Sequence, residues 1–243
     1  MTTRKPSKSL LFPLERKSDF LDNADTVAFT VFLDEERTDK MKFYAPIFRE
    51  GTIEDWLEWI TQLKMTFRQK SLGDDDSSKK FKLLKMLLAG QALVDYERLV
   101  DELLELDEDA LDDNGNFTDV LDALTEKRIP ENYSHQTREF LRSVKKPHDL
   151  SVEAFHSRIL TINKYLEHMP EYRGLNDPLS NDALQTIFED AMPTKWKVAL
   201  TRTGRHSSMT FLDVVGYMRT MENLELELGS GGGNSRSLSS NRT

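Results

Sequence analysis

The stretch GTIEDWLEWITQLKMTFRQ, residues 51–69, decides how the chain reads. Thr52 and Asp55 form a T-x-x-D capping box, with Gly51 just before it. Behind the box, Ile53, Trp56, Leu57, Ile60, Leu63 and Phe67 recur at helical spacing and share one face. The pattern predicts a helix from about 53 to 69. Trp59 and Met65 fall off that stripe. A large apolar side chain off the buried face either marks a partner surface or packs under a neighbouring element. The cover available to Trp59 is the segment just upstream.

That segment changes period. In VAFTVFLD (27–34) and MKFYAPIF (41–48), apolar residues alternate and β-branched and aromatic side chains dominate. Two short strands, paired as an N-terminal β-hairpin, are expected. Pro46 cannot donate to a ladder, so the second strand reads as an edge. Residues 1–25 read as a flexible basic arm.

Downstream the helical period persists. Ser77 or Ser78 is placed to cap a second helix carrying Phe81, Leu84, Leu87 and Leu88, with Gly90 as a break. A third helix over 91–106 carries Leu93, Tyr96, Leu99, Val100, Leu103 and Leu104 on one stripe. Asn116 reads as the cap of a fourth, with Phe117, Val120, Leu121 and Leu124 inward. A fifth spans 133–144. KKPHDLS (145–151) then reads as an interdomain hinge, because Pro147 biases Lys146 away from helix and Ser151 can cap the next helix. Val152, Phe155, Ile159, Ile162 and Leu166 form the next seam. A helix from about Asn181 turns Ala183, Leu184, Ile187, Phe188 and Met192 inward. Pro193 ends it, and a short helix holds Trp196, Val198, Ala199 and Leu200. Thr210 and Asp213 make a second capping box before a last helix with Phe211, Val214, Val215, Met218 and Met221. The Gly/Ser tail, 229–243, has nothing to pack and is expected to be disordered. The fold class expected is mainly α: helical bundles in two domains, 26–145 and 146–228, with the short N-terminal β-hairpin.

Composition narrows the function. The 243 residues are 38% hydrophobic and 31% charged, a globular balance. No apolar run approaches the ~20 residues of a membrane span, and the basic N-terminus lacks the apolar core of a secretion signal. No membrane partner is expected. With no cysteine there are no disulfides, thiol nucleophiles or Cys-based zinc sites. That fits a reducing, cytoplasmic setting. The net charge of −9 disfavours nucleic-acid binding by the folded body. The termini differ: Arg4, Lys5, Lys8, Arg16 and Lys17 crowd one end, and Arg236 and Arg242 stand at the other. They are the candidate RNA contacts, or else solubilising charges.

Catalytic patterns are missing. No phosphate-binding loop or nucleophile elbow occurs, and Asp25-Thr26-Val27 lacks the glycine of an aspartic-protease turn. His135, His148, His156, His168 and His206 show no metal-ligand spacing. The GDDD run (73–76) either attracts a cation or is a solvated turn. The chain is not expected to be an enzyme or to take a cofactor, a metal or a small-molecule substrate.

The order of these motifs resembles the capsid region of Gag from gypsy-type long-terminal-repeat retrotransposons. The resemblance begins at FREGTIEDWLEWITQL (48–63) and continues through FKLLKMLLAGQALVDYERL (81–99), where Tyr96 stands in place of a frequent tryptophan. It runs on through NFTDVLDALTEKRIPENY (116–133), REFLRSVKKPHDLSVEAFHSRI (138–159) and LQTIFEDAMPTKWKVAL (184–200). About residues 48–226 are covered. Lys145 or Lys146 lies near a usual glutamine, Ala191-Met192 replaces Gly-Leu, and there is no downstream zinc knuckle.

The resemblance implies a two-domain retroviral-capsid-like fold and a self-assembling structural protein that forms an intracellular virus-like particle around retrotransposon RNA. It implies rings of five or six through the first domain and two-fold contacts through the second. It also places the major homology region near 143–159, with Lys146, Pro147, Leu150, Glu153, Phe155 and Arg158 as its members. There Glu153 would anchor a polar network, with Arg158 or Arg142 as partner; an ordinary hinge before an amphipathic helix is the plainer reading. The helix at 181–191 would be the dimer element, through Asp182, Gln185, Thr186, Glu189 and Asp190. Trp59 is a further interface candidate, since the first helix often lies between subunits. Two other readings share the same core: a domesticated Gag-derived dimeric scaffold that forms no shell, and an RNA-binding regulator.

Overall fold

The computed structural model describes residues 11–14, 19–32, 40–171, 177–204 and 208–230. The described residues are mainly helical, with one small antiparallel sheet near the N-terminus. In chain order they form α1 (Phe20–Asn23), β1 (Thr26–Phe32), β2 (Lys40–Pro46), α2 (Ile53–Gln69), α3 (Ser77–Met86), α4 (Gly90–Leu106), α5 (Asn114–Glu126) and α6 (Tyr133–Ser143). They continue with α7 (Val152–Tyr165), α8 (Asn181–Ala191), α9 (Thr194–Arg202) and α10 (Phe211–Ser230). Two compact units result. One holds the residues up to Arg138 together with Lys164–Pro178; the other holds Glu139–Asn163 and the residues from Leu179 on. The chain passes between them inside α6, inside α7 and again between Pro178 and Leu179, and the 145–151 segment lies wholly within the second unit.

The first unit is organised by α2. Its capping box is complete: Thr52 Oγ1 accepts from Asp55 N at 3.2 Å, and Thr52 N donates to Asp55 Oδ2 at 2.7 Å. Gly51 is required beside it, because a Cβ there would stand 2.7 Å from Asp55 Oδ2. The stripe read from the sequence is buried from Trp56 to Phe67, with Ile53 half-buried.

Trp59 corrects one expectation, because it is fully buried and cannot present a partner surface. Its ring stacks on Trp56 at 4.7 Å between centroids, and its Nε1 donates to the Pro46 carbonyl at 3.1 Å. The hairpin end therefore covers a second face of α2, widening the buried arc beyond one stripe. Phe48 seals this cluster edge-on to Trp56 at 4.9 Å, and its backbone pairs with the Leu87–Ala89 strand-like segment. Met65, the other off-stripe residue, is exposed.

The hairpin pairs Thr26 with Pro46 through Phe32 with Lys40, and Phe29 stacks on Phe43 at 5.3 Å. Val27, Phe29 and Val31 are half-buried while Ala28 and Thr30 are exposed, as the alternation requires. Pro46 closes β2, where its missing N–H costs no ladder bond.

Other local expectations shift by a few residues. The cap of α5 is Asp113, whose carboxylate accepts from Gly115 N at 2.7 Å; Asn116 instead donates to Ala110 O at 2.9 Å. Several cap-competent residues crowd DDNGN, and the one that leaves Phe117 facing the core takes the role. Ser77 opens α3 from inside the helix and donates to Asp74 O at 3.0 Å, and Asp76 stands at the N-cap position. Gly90 opens α4 with φ +58°, a left-handed turn that suits glycine. The expected stripe on α4 is only half-buried except at Tyr96, whose hydroxyl donates to Phe81 O at 2.8 Å. Part of the expected arm is packed: Phe12 is fully buried, with its centroid 5.9 Å from Tyr133 and 6.2 Å from Tyr165. Residues 20–23 form the helical turn α1.

The second unit packs Val152, Phe155, Ile159 and Ile162 of α7 among the core residues of α8, α9 and α10, including Phe188, Trp196 and Met218. Phe155 and Phe188 lie 6.1 Å apart. The second capping box is also made, with Thr210 N donating to Asp213 Oδ2 at 2.9 Å and Asp213 N to Thr210 Oγ1 at 3.3 Å.

Replacing Trp59 with alanine should cost ~3–5 kcal/mol in denaturant unfolding, the range for deleting a buried aromatic side chain. Trp59→Phe should cost less, since it keeps most of the stack and loses the indole donor to Pro46. A cost near zero for Trp59→Ala would contradict this packing.

Candidate functional site

Two features of the second unit involve residues singled out in the sequence. The first is the outward face of α8. Ser180 caps the helix by accepting from Ala183 N at 3.3 Å, and Leu184, Ile187, Phe188 and Ala191 fix its inner face in the core. With that face fixed, Asp182, Thr186 and Asp190 are exposed, and Gln185 and Glu189 are half-exposed. Gln185 Nε2 donates to Glu189 Oε1 at 2.9 Å, and Thr186 Oγ1 donates to Asp182 O at 3.0 Å. Cations border the patch: Lys197 Nζ lies 3.8 Å from Asp190 Oδ1, and Lys145 Nζ donates to the Asp190 carbonyl at 2.7 Å. The surface is polar, carries both signs of charge and is held on a rigid element.

The second feature is a polar brace on the 145–153 segment. Lys146 leaves 4% of its side chain exposed and pairs with Glu222 of α10, itself 16% exposed, at 2.9 Å. The other carboxylate oxygen of Glu222 accepts from Val152 N at 2.9 Å, satisfying a free donor at the start of α7. The Lys146 ammonium lies 5.6 Å from the centroid of the Trp196 ring, and Lys146 N donates to Ala191 O at 3.1 Å. Trp196 Nε1 donates to Glu225, which also pairs with Lys195 at 2.7 Å. Ser151 Oγ accepts from Ala154 N at 3.1 Å, the cap expected of it.

Glu153 does anchor an ion pair, but its partner is Arg219 of α10. Of the expected partners, Arg142 pairs with Glu139 at 2.8 Å, and Arg158 is buried. Glu153 and Arg142 are separated by the whole 145–151 turn, whereas α10 runs beside the start of α7. Phe155 is fully buried, and Pro147 and Leu150 are half-buried. The segment that reads as a hinge from its proline is strapped to α8, α9 and α10 within its unit. Glu222 and Arg219 were not legible as members of this network, because both stand about seventy residues from their partners on an ordinary amphipathic helix.

The candidate RNA contacts Arg4, Lys5, Lys8, Arg16, Lys17, Arg236 and Arg242 lie outside the described residues.

A third feature lies in the first unit. A polar cavity of about 410 Å³ is bordered by α2, α5 and the turn at 167–171. On its wall Lys64 Nζ stands 2.9 Å from His168 Nδ1. The His168 ring is 1% exposed, and its Nε2 lies 3.2 Å from Glu167 Oε1 without the alignment of a hydrogen bond. Burial pushes His168 down to about 3, so the imidazole is neutral at neutral pH and accepts at Nδ1. Burial also holds Lys64 below the ordinary lysine range, against the pull of Glu167 and Asp122. Asp122 is raised by burial, reinforced by Asp119 and Glu126. Among the described residues no group of three or more histidine, aspartate or glutamate side chains is placed to hold a metal ion. No helix of the described residues is long and apolar enough to cross a membrane.

Lys146→Met should destabilise the second unit by ~3–5 kcal/mol, because it leaves the Glu222 carboxylate uncompensated in a mostly buried position. Adding Glu222→Leu should restore most of that loss, and a double-mutant cycle in urea reads the coupling. Coupling below ~0.5 kcal/mol would contradict the brace.

His168 sets a pH signature of defined sign. The unfolded imidazole takes a proton near pH 6.5, while the folded one resists it until about 3. Between these values the unfolded state binds more protons, so stability falls as pH falls, by up to about 1.4 kcal/mol per pH unit. Above 6.5 the group contributes no slope. His168→Asn should flatten the unfolding profile between those limits; parallel profiles for the two proteins would contradict a neutral buried imidazole.

Comparison with protein-family models, with curated proteins and with solved structures finds no match to this chain.

Proposed function

We propose that this protein is a structural Gag-type capsid that self-assembles through both of its units into a virus-like particle enclosing retrotransposon RNA. The observation that carries the reading is the polar outward face of α8 on a unit whose turn at 145–153 is fastened by the mostly buried Lys146–Glu222 pair and the exposed Glu153–Arg219 pair. A shell needs weak contacts repeated by symmetry on subunits that hold their shape. A polar, mixed-charge patch supplies weak and salt-sensitive contacts. A two-fold axis through α8 would set the acids of one copy against Lys145 and Lys197 of the other. The resemblance to gypsy-type capsids in motif order assigns the same helix to that role. The hairpin, with both of its strands at an edge, and the half-buried stripe of α4 are the surfaces the first unit offers for ring contacts.

RNA enclosure on this reading falls to the basic termini, because the body is acidic. A dimeric scaffold descended from the same ancestor is the second reading, and it keeps the α8 contact without the shell.

Charge reversal at Glu189 and Asp190 tests the α8 assignment. In sedimentation equilibrium the doubly reversed protein (E189K/D190K) should dimerise roughly tenfold more weakly than the parent at low salt, about 1.4 kcal/mol. Raising the salt should narrow the gap. Unchanged dimerisation would place the two-fold contact elsewhere.

A further inference from the structure

The wall of the polar cavity in the first unit holds an amine in an unusual setting. Four described lysines pair closely with carboxylates: Lys79 with Asp76, Lys85 with Glu97, Lys146 with Glu222 and Lys195 with Glu225, all within 3 Å. Lys64 instead rests on an imidazole, 2.9 Å from His168 Nδ1. That imidazole is almost wholly buried and carries no charge at neutral pH. An ammonium gains less from a neutral acceptor than from a carboxylate, so its free-amine form lies within easier reach. The same amine borders an open volume of about 410 Å³, with room for a small molecule against Ile60, Leu121 and Met169.

From this geometry we infer that Lys64 is a carbonyl-reactive amine, and that the cavity takes a small uncharged aldehyde as an imine on Lys64 Nζ. The carboxylates of Glu126, Glu167 and Glu171 and the Asp122 carboxyl face the same cavity, which disfavours an anionic ligand. In the free-amine form one N–H remains donated to His168 Nδ1, and the lone pair attacks the carbonyl carbon. The C–N bond forms as the carbonyl π pair moves to oxygen, and one proton passes from the now cationic nitrogen to that oxygen, giving a neutral carbinolamine. Loss of water with the nitrogen proton then forms C=N, so one aldehyde is consumed and one water released. The departing hydroxyl needs a proton, and Asp122, whose protonated form is favoured by burial and by its acidic neighbours, is the cavity-lining acid placed to give one. No oxidant or reductant takes part. The depression of Lys64 itself, by burial, acts in the same direction. This inference does not rest on the capsid reading and survives its failure.

The test is competitive labelling of the full chain with dilute propionaldehyde and cyanoborohydride, which traps each imine as a stable secondary amine for peptide mapping. At pH 7 Lys64 should be labelled at least about fivefold faster than Lys85, which is ion-paired with Glu97, because a carboxylate holds an ammonium charged more firmly than a neutral imidazole does. The advantage should shrink as pH approaches ~10, where ordinary lysines also lose their protons. Labelling of Lys64 no faster than Lys85 at pH 7, or a rate ratio independent of pH, would overturn the inference.

Discussion

The second unit depends on the ion pair between Lys146 and Glu222. Chain direction changes at Pro147, and a change of direction leaves backbone donors and a charged side chain near the core. Glu222 answers both needs with one carboxylate, which accepts from the Lys146 ammonium and from Val152 N, each at 2.9 Å. Without that carboxylate, the first turn of α7 would lose its cap and Lys146 would hold a nearly buried charge beside Trp196. Most of the pair's value lies in what its absence would leave unsatisfied, since a buried pair gains little over apolar packing. What it specifies is geometry: α7 and α10 are registered to each other, and α8 is held between them and the turn by Phe155, Phe188 and the Lys146 N to Ala191 O bond.

The first unit solves a different problem. Its centre is aromatic, with Phe48, Trp56 and Trp59 in mutual contact and the Arg128 guanidinium 4.4 Å from the Trp56 ring centroid. Both indole N–H groups find acceptors, Thr125 Oγ1 and Pro46 O, so the cluster buries its polar atoms without penalty. The hairpin, α2 and α5 are thereby joined at one point. The Lys64–His168 contact lies apart from this centre, where α2 meets the 166–168 turn, and there the unit keeps polar side chains beside open space.

Local chemistry was legible in the sequence. Both capping boxes, the span of α2, the strand alternation and the helix over 181–191 arise from spacing and turn residues, because each is fixed within a few residues of chain. Errors came where distant parts of the chain decide. Trp59 lies off the main stripe, and of its two readings the cover by the upstream strands holds and the partner surface does not, because the hairpin covers a second face of α2. Asn116 and Asp113 compete for one cap, and core packing of Phe117 settles it. Phe12, in the run LLFPL, belonged to a segment judged by its basic charge, although its own apolar neighbours were the signal that it docks. Of the network around Glu153 the acid was legible but not Arg219, sixty-six positions away, and nothing in the local sequence ties Lys64 to His168 across one hundred and four.

The claim that this protein builds a shell is tested most directly by negative-stain electron microscopy of the purified full chain across a salt series, with light scattering on the same samples. Closed particles or tubes that appear and dissolve with salt are the predicted result, as polar contacts repeated by symmetry require. Monomers or dimers alone, at every salt and protein concentration and with RNA added, would contradict it and leave the dimeric scaffold as the better account.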